Sequence, residues 1–180
     1  MGKKIMVLNG SPRVNGNTAG LIQAFQEGAE KAGHQVTVFN LQNMEIHSCR
    51  GCGGGGKDPA SPCVQKDDMA GIYPVYREAD AVVLASPLYF WTVSGQLKCA
   101  LDRLYAMEEG SGERLKKECV LLMAAAGEDF DASAFWYREM VKHIGWSDRG
   151  QLLAGGLWNA GDVAAREEIL EEARRLGESL

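Results

Sequence analysis

The stretch that decides the fold is IMVLNGSPRVNGNT, residues 5–18. Its first four residues form a short, wholly apolar run, which is typical of a strand buried on both faces of a parallel sheet. A polar loop with two glycines follows. From residue 18 to about residue 32 apolar residues recur at helical spacing, and Gly33 ends the pattern. The stretch therefore predicts a strand, a glycine-containing loop and a helix.

The rest of the chain repeats this alternation. Further strands are predicted at residues 36–41, 81–85, 119–125 and 152–158, and further helices at 69–78, 94–107, 132–144 and 163–176. Strands joined by helices indicate right-handed parallel βαβ units, with helices on both faces of one sheet. Five strands leave two common strand orders, one of which is 2-1-3-4-5. The 180 residues contain no internal repeat and no long linker, so we expect a single domain over residues 1–180.

Charge and hydropathy exclude several classes of partner. The formal net charge is -5, which argues against nucleic acid because phosphate binding needs a basic face. No segment approaches the roughly 20 consecutive apolar residues of a membrane span, and the apolar run at residues 5–8 is too short for a secretory signal. We therefore expect a cytoplasmic protein with no membrane partner, whose five cysteines stay reduced.

The loop after the first strand has the composition of a phosphate site. In a sheet of order 2-1-3-4-5, ligands bind beyond the carboxyl ends of strands one and three. Hydroxyls, a guanidinium and the N–H groups of a helix N-terminus all suit a phosphate. The candidates in this loop are Ser11, Arg13, Asn15, Asn17 and Thr18.

The alternative interpretation of this loop is a plain turn, in which Asn17 or Thr18 caps the helix. Capping alone does not explain an arginine between two turn elements. No lysine closes the loop as in a Walker A motif, so triphosphate hydrolysis is not expected.

The loop after the third strand, SPLYFWTVSG at residues 86–95, carries three consecutive aromatic residues. A planar heterocycle needs apolar or aromatic walls, so this loop predicts a platform for such a ring. The candidates are Pro87, Leu88, Tyr89, Phe90 and Trp91. The alternative is that some of these rings pack into the core or into an oligomer interface.

Both loops resemble one family. The residues SPR (11–13) with GNT (16–18), and SPLYF (86–90) with SGQLK (94–98) and LDR (101–103), are similar to motifs of the NADPH-dependent FMN reductases, within the flavodoxin-like superfamily. The resemblance extends from the first strand to about Arg103. It implies an α/β flavodoxin-like three-layer sandwich, with a five-stranded parallel sheet of order 2-1-3-4-5.

The resemblance also implies a function. FMN would bind with its phosphate at the first loop and its ring at the second. A third contact, transferred by position alone, would come from Ala126 and Gly127 after strand four. NADPH or NADH would be the co-substrate, and a flavin, a quinone or a similar small molecule the acceptor. Family members are commonly homodimers or homotetramers. No catalytic side chain is expected, because the flavin carries the chemistry. The alternative function is a non-enzymatic electron carrier of the flavodoxin or iron–sulfur-flavoprotein type.

The segment with Cys49, Cys52 and Cys63 resembles the cysteine region of the iron–sulfur flavoproteins. Glycines at 53–56 occupy the place of a further cysteine, and clusters normally need four ligands. His47 would complete a zinc set of three thiols and one imidazole. We expect no metal and an ordered loop. The glycine run also satisfies the dinucleotide-binding fingerprint, which we reject because no apolar strand leads directly into it.

Overall fold

The computed structural model describes residues 2–108 and 110–180. These residues form a five-stranded parallel sheet in the order β2-β1-β3-β4-β5, which confirms the predicted strand order. The strands are β1 (Lys4–Asn9), β2 (Gln35–Asn40), β3 (Ala81–Pro87), β4 (Glu118–Ala124) and β5 (Ser147–Ala154). The helices are α1 (Asn17–Lys31), α2 (Met69–Glu78), α3 (Gly95–Arg103), α4 (Asp131–Ile144) and α5 (Glu167–Glu178). Turns of 3₁₀ helix lie at Leu41–Asn43, Leu104–Ala106 and Asp162–Ala165.

The helices form two layers, one on each face of the sheet. Alternate residues of β1 divide between these layers, because successive side chains of a strand point to opposite faces. Ile5 and Val7 belong to the apolar cluster formed with α1 and α5. Met6 and Leu8 belong to the cluster formed with α2, α3 and α4. Burial on both faces explains why β1 is apolar without alternation.

Close packing of α1 against α5 fixes the position of α1. Gly28 and Gly177 lie where these two helices meet, and a Cβ atom on Gly28 would overlap the carbonyl group of Arg174. Glycine costs a helix interior about 1 kcal/mol relative to alanine. Here it lets the helix backbones approach, and so sets where the N-terminus of α1 stands.

The predicted position of the last strand, at residues 152–158, is wrong. β5 spans Ser147–Ala154 and pairs only with β4. Its first residues are polar and exposed because it is an edge strand, so they lack the apolar pattern of a buried strand. After Ala154 the chain turns at two glycines, the second with φ +71°, and leaves Trp158 outside the sheet.

Two predicted helices are also shorter than expected. The helix predicted at 94–107 ends at Arg103 and continues as the 3₁₀ turn Leu104–Ala106. The helix predicted at 163–176 is divided at Arg166, whose φ of -116° and ψ of 70° are not helical. The other predicted elements agree with the structure to within two residues at each end. Among the described residues, none of the helices has the length and apolar character needed to cross a membrane.

Candidate functional site

A cleft of about 220 Å³ opens where the carboxyl ends of β1, β3 and β4 meet. It is lined by Ser11, Arg13, Gly16, Asn17, Thr18, Pro87, Leu88, Tyr89, Ala124, Ala125, Ala126, Leu157 and Trp158. We call it the site cleft. It brings together eight of the twelve predicted site residues. The other four predicted residues are exposed and do not line the site cleft. They are Asn15, Phe90, Trp91 and Gly127.

The loop after β1 is held in shape by its own hydrogen bonds. The N–H of Ser11 donates to Asn9 Oδ1 at 2.9 Å, and the N–H of Arg13 donates to Ser11 Oγ at 3.2 Å. A Cβ atom on Gly16 would lie 3.0 Å from the Cβ of Arg13, so glycine keeps the loop closed on itself. The buried Ser11 and Thr18 and the exposed Arg13 therefore stand around one concave turn.

The N-terminus of α1 faces this turn without a side-chain cap. Its N-cap residue is Gly16, with extended backbone, and no side-chain cap is formed within the described residues. The interpretation of Asn17 or Thr18 as the N-cap is therefore wrong. The N–H groups of the first turn and the positive end of the helix dipole are left for an anion.

The side chain of Asn17 is committed elsewhere. Its Nδ2 donates to the carbonyl of Asn159 at 2.9 Å, and its Oδ1 accepts from the N–H of Val163 at 3.1 Å. These bonds fix the loop after β5 beside the site cleft. Asn17 can therefore offer a ligand its main-chain N–H but not its side-chain amide.

The aromatic residues after β3 form a tight hairpin. The N–H of Tyr89 donates to Thr92 O at 2.9 Å, and the N–H of Thr92 donates to Tyr89 O at 3.1 Å. Between them, Phe90 and Trp91 have φ values of +47° and +61°. Such backbone is strained for residues other than glycine, by about 1–3 kcal/mol each, and strain of this kind is concentrated at functional sites. Phe90 is 94% exposed and Trp91 56%, so neither packs into the core.

Hydrogen bonds join the loops around the site cleft. Trp91 Nε1 donates to Asp129 Oδ2 at 2.8 Å, which connects the hairpin to the loop after β4. Ser94 Oγ donates to the carbonyl of Gly10 at 2.7 Å, which connects the start of α3 to the loop after β1. Ser86 Oγ accepts from the N–H of Ser94 at 2.8 Å.

Sequence reasoning predicted Trp91 but not the supporting roles of Ser86, Ser94 and Asp129. Ser94 precedes a helix and caps it through the N–H of Leu97, so a serine at that position is a signal that could have been used. Trp158 was missed because its apolar neighbours assigned it to a strand. Nothing in the sequence pairs Trp91 with Asp129.

The cysteine segment does not present a metal-binding donor set. Cys49 and Cys52 are exposed and Cys63 is half-buried. Among residues 2–108 and 110–180, no group of three or more His, Cys, Asp or Glu side chains is placed to hold a metal ion. A Cβ atom at Gly55 would lie 2.9 Å from the Cβ of Ala106, so a further cysteine does not fit there. His47 Nδ1 lies 3.4 Å from Asp67 Oδ2. In the conformation described, these side chains are therefore not placed together as the ligand set of an iron–sulfur cluster or of zinc.

A buried ion pair anchors this segment to α3. Arg103 donates through Nη1 and Nη2 to the carboxylate of Asp67, at 2.5 and 3.0 Å, and both side chains are at most 1% exposed. Burial alone raises the pKa of the Cys63 thiol, but a hydrogen bond from the backbone at Gln65 and the nearby Arg103 guanidinium outweigh it and lower the pKa.

Comparisons with known proteins agree with this fold and identify a family. The sequence pattern of the NADPH-dependent FMN reductases matches residues 3–146. An iron–sulfur flavoprotein of Archaeoglobus fulgidus is 30% identical over 180 residues, covering 98% of this chain and 78% of its own length. Another from the same organism is 37% identical over 100 residues, or 56% of this chain, and the match spans 48% of that relative, about half its length. The solved NAD(P)H:quinone oxidoreductase from Methanothermobacter marburgensis superposes with a TM-score of 0.76 at 22% identity, covering 99% of this chain and 96% of that one.

The fold and the site cleft define a flavodoxin-like α/β protein. The chain belongs to the NADPH-dependent FMN reductase family. This confirms the predicted family, whose name specifies FMN and NADPH.

Proposed function

We propose that this protein is an FMN-dependent oxidoreductase that takes electrons from NADPH or NADH and passes them to a flavin, a quinone or a similar small acceptor. The observation that carries the proposal is the site cleft, where an uncapped helix N-terminus meets an aromatic loop at the carboxyl edge of the sheet. A phosphate and a planar ring are the two groups that such a pair of surfaces suits.

The phosphate of FMN would be held by the loop after β1. Ser11 and Thr18 supply hydroxyls, and Arg13 supplies a guanidinium that pairs with phosphate oxygens. The first N–H groups of α1 add neutral donors and a favourable dipole, including the main-chain N–H of Asn17. Asn15 is an exposed residue of the same loop. We include it as a contact to the phosphate at the edge of the site.

The flavin ring would lie against the loop after β3. Pro87, Leu88 and Tyr89 line the site cleft, and the hairpin holds Phe90 and Trp91 next to them. The bond from Trp91 to Asp129 brings the loop that carries Ala126 and Gly127 to the same place. Strained rings that stay largely exposed are explained when a ligand or partner covers them.

The chemistry that FMN supplies when bound is hydride acceptance from a reduced nicotinamide and electron delivery to an acceptor. The residues of this chain bind and orient. Ser94 and Ser86 fix the spacing of the two loops, and Ala124 and Leu157 give the site cleft an apolar floor that excludes water. No side chain is assigned a proton-transfer role.

The alternative function is an electron carrier that does not react with a nicotinamide. Two relatives from Archaeoglobus are named iron–sulfur flavoproteins, and this name is what raises the alternative. Against this for the present chain stands the cysteine segment, whose donors do not fit a cluster.

Steady-state oxidation of NADPH and NADH by the FMN-loaded protein distinguishes these functions. With 1,4-benzoquinone as acceptor, the proposal expects turnover that depends on protein concentration and on bound FMN. Arg13→Ala is expected to lose turnover at limiting FMN, while Arg138→Ala, an exposed arginine on α4, serves as the matched control. A flavin-loaded protein that oxidises neither nicotinamide would establish the carrier instead. About four irons per chain would overturn our view of the cysteine segment.

We also propose that the protein is cytoplasmic and that it forms a homodimer or a homotetramer. The exposed rings of Phe90, Phe135 and Trp158 are surface that a second copy would cover. Light scattering on the purified FMN-loaded protein tests the assembly, and a monomer at micromolar concentration would contradict it.

A further inference from the structure

A second and larger cavity lies between the C-terminal halves of α3 and α4, beneath the cysteine segment. Its volume is about 620 Å³, within the range of roughly 300–1,000 Å³ that is typical of small-molecule sites. We call it the α3–α4 cavity. It shares no lining residue with the site cleft, and it approaches the amino end of β5, where Trp146 precedes the strand.

The walls of the α3–α4 cavity are mainly apolar, and the thiols of Cys49, Cys52 and Cys63 also line it. Trp136, Met140 and Ile144 line it from α4, and Leu101 lines it from α3. Residues 51–55 of the cysteine segment lie across it, where Gly51 and Gly53 adopt φ values of +61°. A flat apolar compound would remove these walls from water.

Two buried N–H groups belong to residues that line the cavity. Arg103 is 1% exposed and Trp146 is 6% exposed. Arg103 Nε and Trp146 Nε1 have no hydrogen-bond acceptor in the described part of the chain. Buried donors in native proteins are nearly always paired, so two in one cavity indicate an acceptor that comes from outside the chain.

The charges around the cavity favour an uncharged ligand. Lys98 Nζ is paired with Asp102 at 2.6 Å, and Arg103 is paired with Asp67. Glu108, which is 4% exposed, adds a carboxyl group that accepts from the hydroxyl of Tyr76. With Lys98 and Arg103 already paired and an acidic side chain buried nearby, the cavity gives an anion little attraction.

We propose that the α3–α4 cavity binds an uncharged, flat aromatic compound whose carbonyl oxygen accepts hydrogen bonds from Arg103 Nε or Trp146 Nε1. This site is separate from the site cleft and does not depend on FMN. A cavity of this size with two buried donors suits such a compound better than a second copy of the chain, whose surface side chains would have to reach the buried N–H groups.

The test uses 9-fluorenone as the probe and the purified full chain, with and without excess FMN. Saturation-transfer-difference NMR should show binding that excess FMN does not displace. Trp146→Phe keeps an aromatic side chain, although a smaller one, and removes the N–H. It should weaken binding about 3- to 10-fold, the range of one neutral hydrogen bond. Met140→Trp should fill the cavity and weaken the binding of 9-fluorenone further. Trp158→Phe, the matched change at the site cleft, should leave the affinity for 9-fluorenone unchanged.

Several outcomes would overturn this inference. The inference is wrong if 9-fluorenone does not bind or if FMN displaces it. It is also wrong if the wild type, Trp146→Phe and Met140→Trp bind 9-fluorenone with equal affinity. Dissociation of a dimer by the cavity variants, seen by light scattering, would instead show that a second copy covers the cavity. Unchanged circular dichroism spectra and urea unfolding midpoints show that each variant is folded. If the protein binds 9-fluorenone in this way but takes up no FMN, the proposed function fails and this inference stands.

Discussion

The hydroxyl of Ser94 lies 2.7 Å from the carbonyl oxygen of Gly10, to which it donates a hydrogen bond. The two residues belong to the loops after β3 and β1, so one bond fixes the distance between the proposed ring and phosphate surfaces. A Cβ atom on Gly10 would lie 2.5 Å from Ser94 Oγ. Glycine at residue 10 is therefore what allows the two loops to approach.

Ser94→Ala should destabilise the protein and leave the distance between the loops after β1 and β3 less well fixed. The variant loses the bond to Gly10 and the N-cap bond from Leu97, and leaves a buried carbonyl unpaired, at a cost of about 1–3 kcal/mol. Urea unfolding followed by circular dichroism measures this. Ser147→Ala, exposed at the start of β5, is the control and should change stability by less than about 0.5 kcal/mol. Equal losses of stability in the two variants would contradict the role of the Ser94–Gly10 hydrogen bond.

Asp67→Asn should cost about 3–5 kcal/mol at pH 7, because it leaves Arg103 buried without its counter-charge. Burial alone raises the pKa of Asp67, but hydrogen bonds from Arg103 and from the backbone at His47 outweigh it and lower the pKa below 3.8. A lowered pKa in the folded state contributes stability above the unfolded value, which is lost as pH falls through the folded value. The stability gap between wild type and Asp67→Asn should therefore narrow below about pH 4.

Urea unfolding at pH 7, 5 and 3.5 measures that gap. Asp102→Asn removes an exposed i,i+4 ion pair with Lys98 and is the control, with an expected effect below about 0.5 kcal/mol. A gap that stays constant down to pH 3.5 would show that the ion pair does not set the pKa of Asp67.

Phe90→Gly should separate the stability of the hairpin from its role in binding. The change relieves left-handed backbone strain of about 1–2 kcal/mol, against a glycine entropy cost of about 0.5–1 kcal/mol. Stability should stay equal or rise by up to about 1 kcal/mol, while FMN affinity falls about 3- to 10-fold with the lost ring contact. Arg138→Ala, a change at an exposed residue of α4, should alter neither. A clear loss of stability in Phe90→Gly would mean that this ring serves the fold.

The sequence was most informative where burial and function leave local patterns. The apolar runs of β1 and β3 and the SPR and GNT motifs predicted the sheet order and the loops that meet at the site cleft. β5 was misplaced because an edge strand beginning with Ser147, Asp148 and Arg149 has no apolar run. Contacts between distant residues, such as Trp91 with Asp129, leave no local signal. The commitment of the Asn17 side chain to Asn159 and Val163 was hidden for the same reason.

Titration of the flavin-free protein with FMN, followed by flavin fluorescence, tests the central claim most directly. We expect one FMN per chain, with the absorption bands of a bound flavin. Arg13→Ala should weaken affinity by about 1.5–3 kcal/mol, the value of a hydrogen bond to a charged group, and Arg138→Ala should not. A colourless protein that takes up no FMN, or an Arg13→Ala variant that binds FMN as tightly as the wild type, would contradict the account.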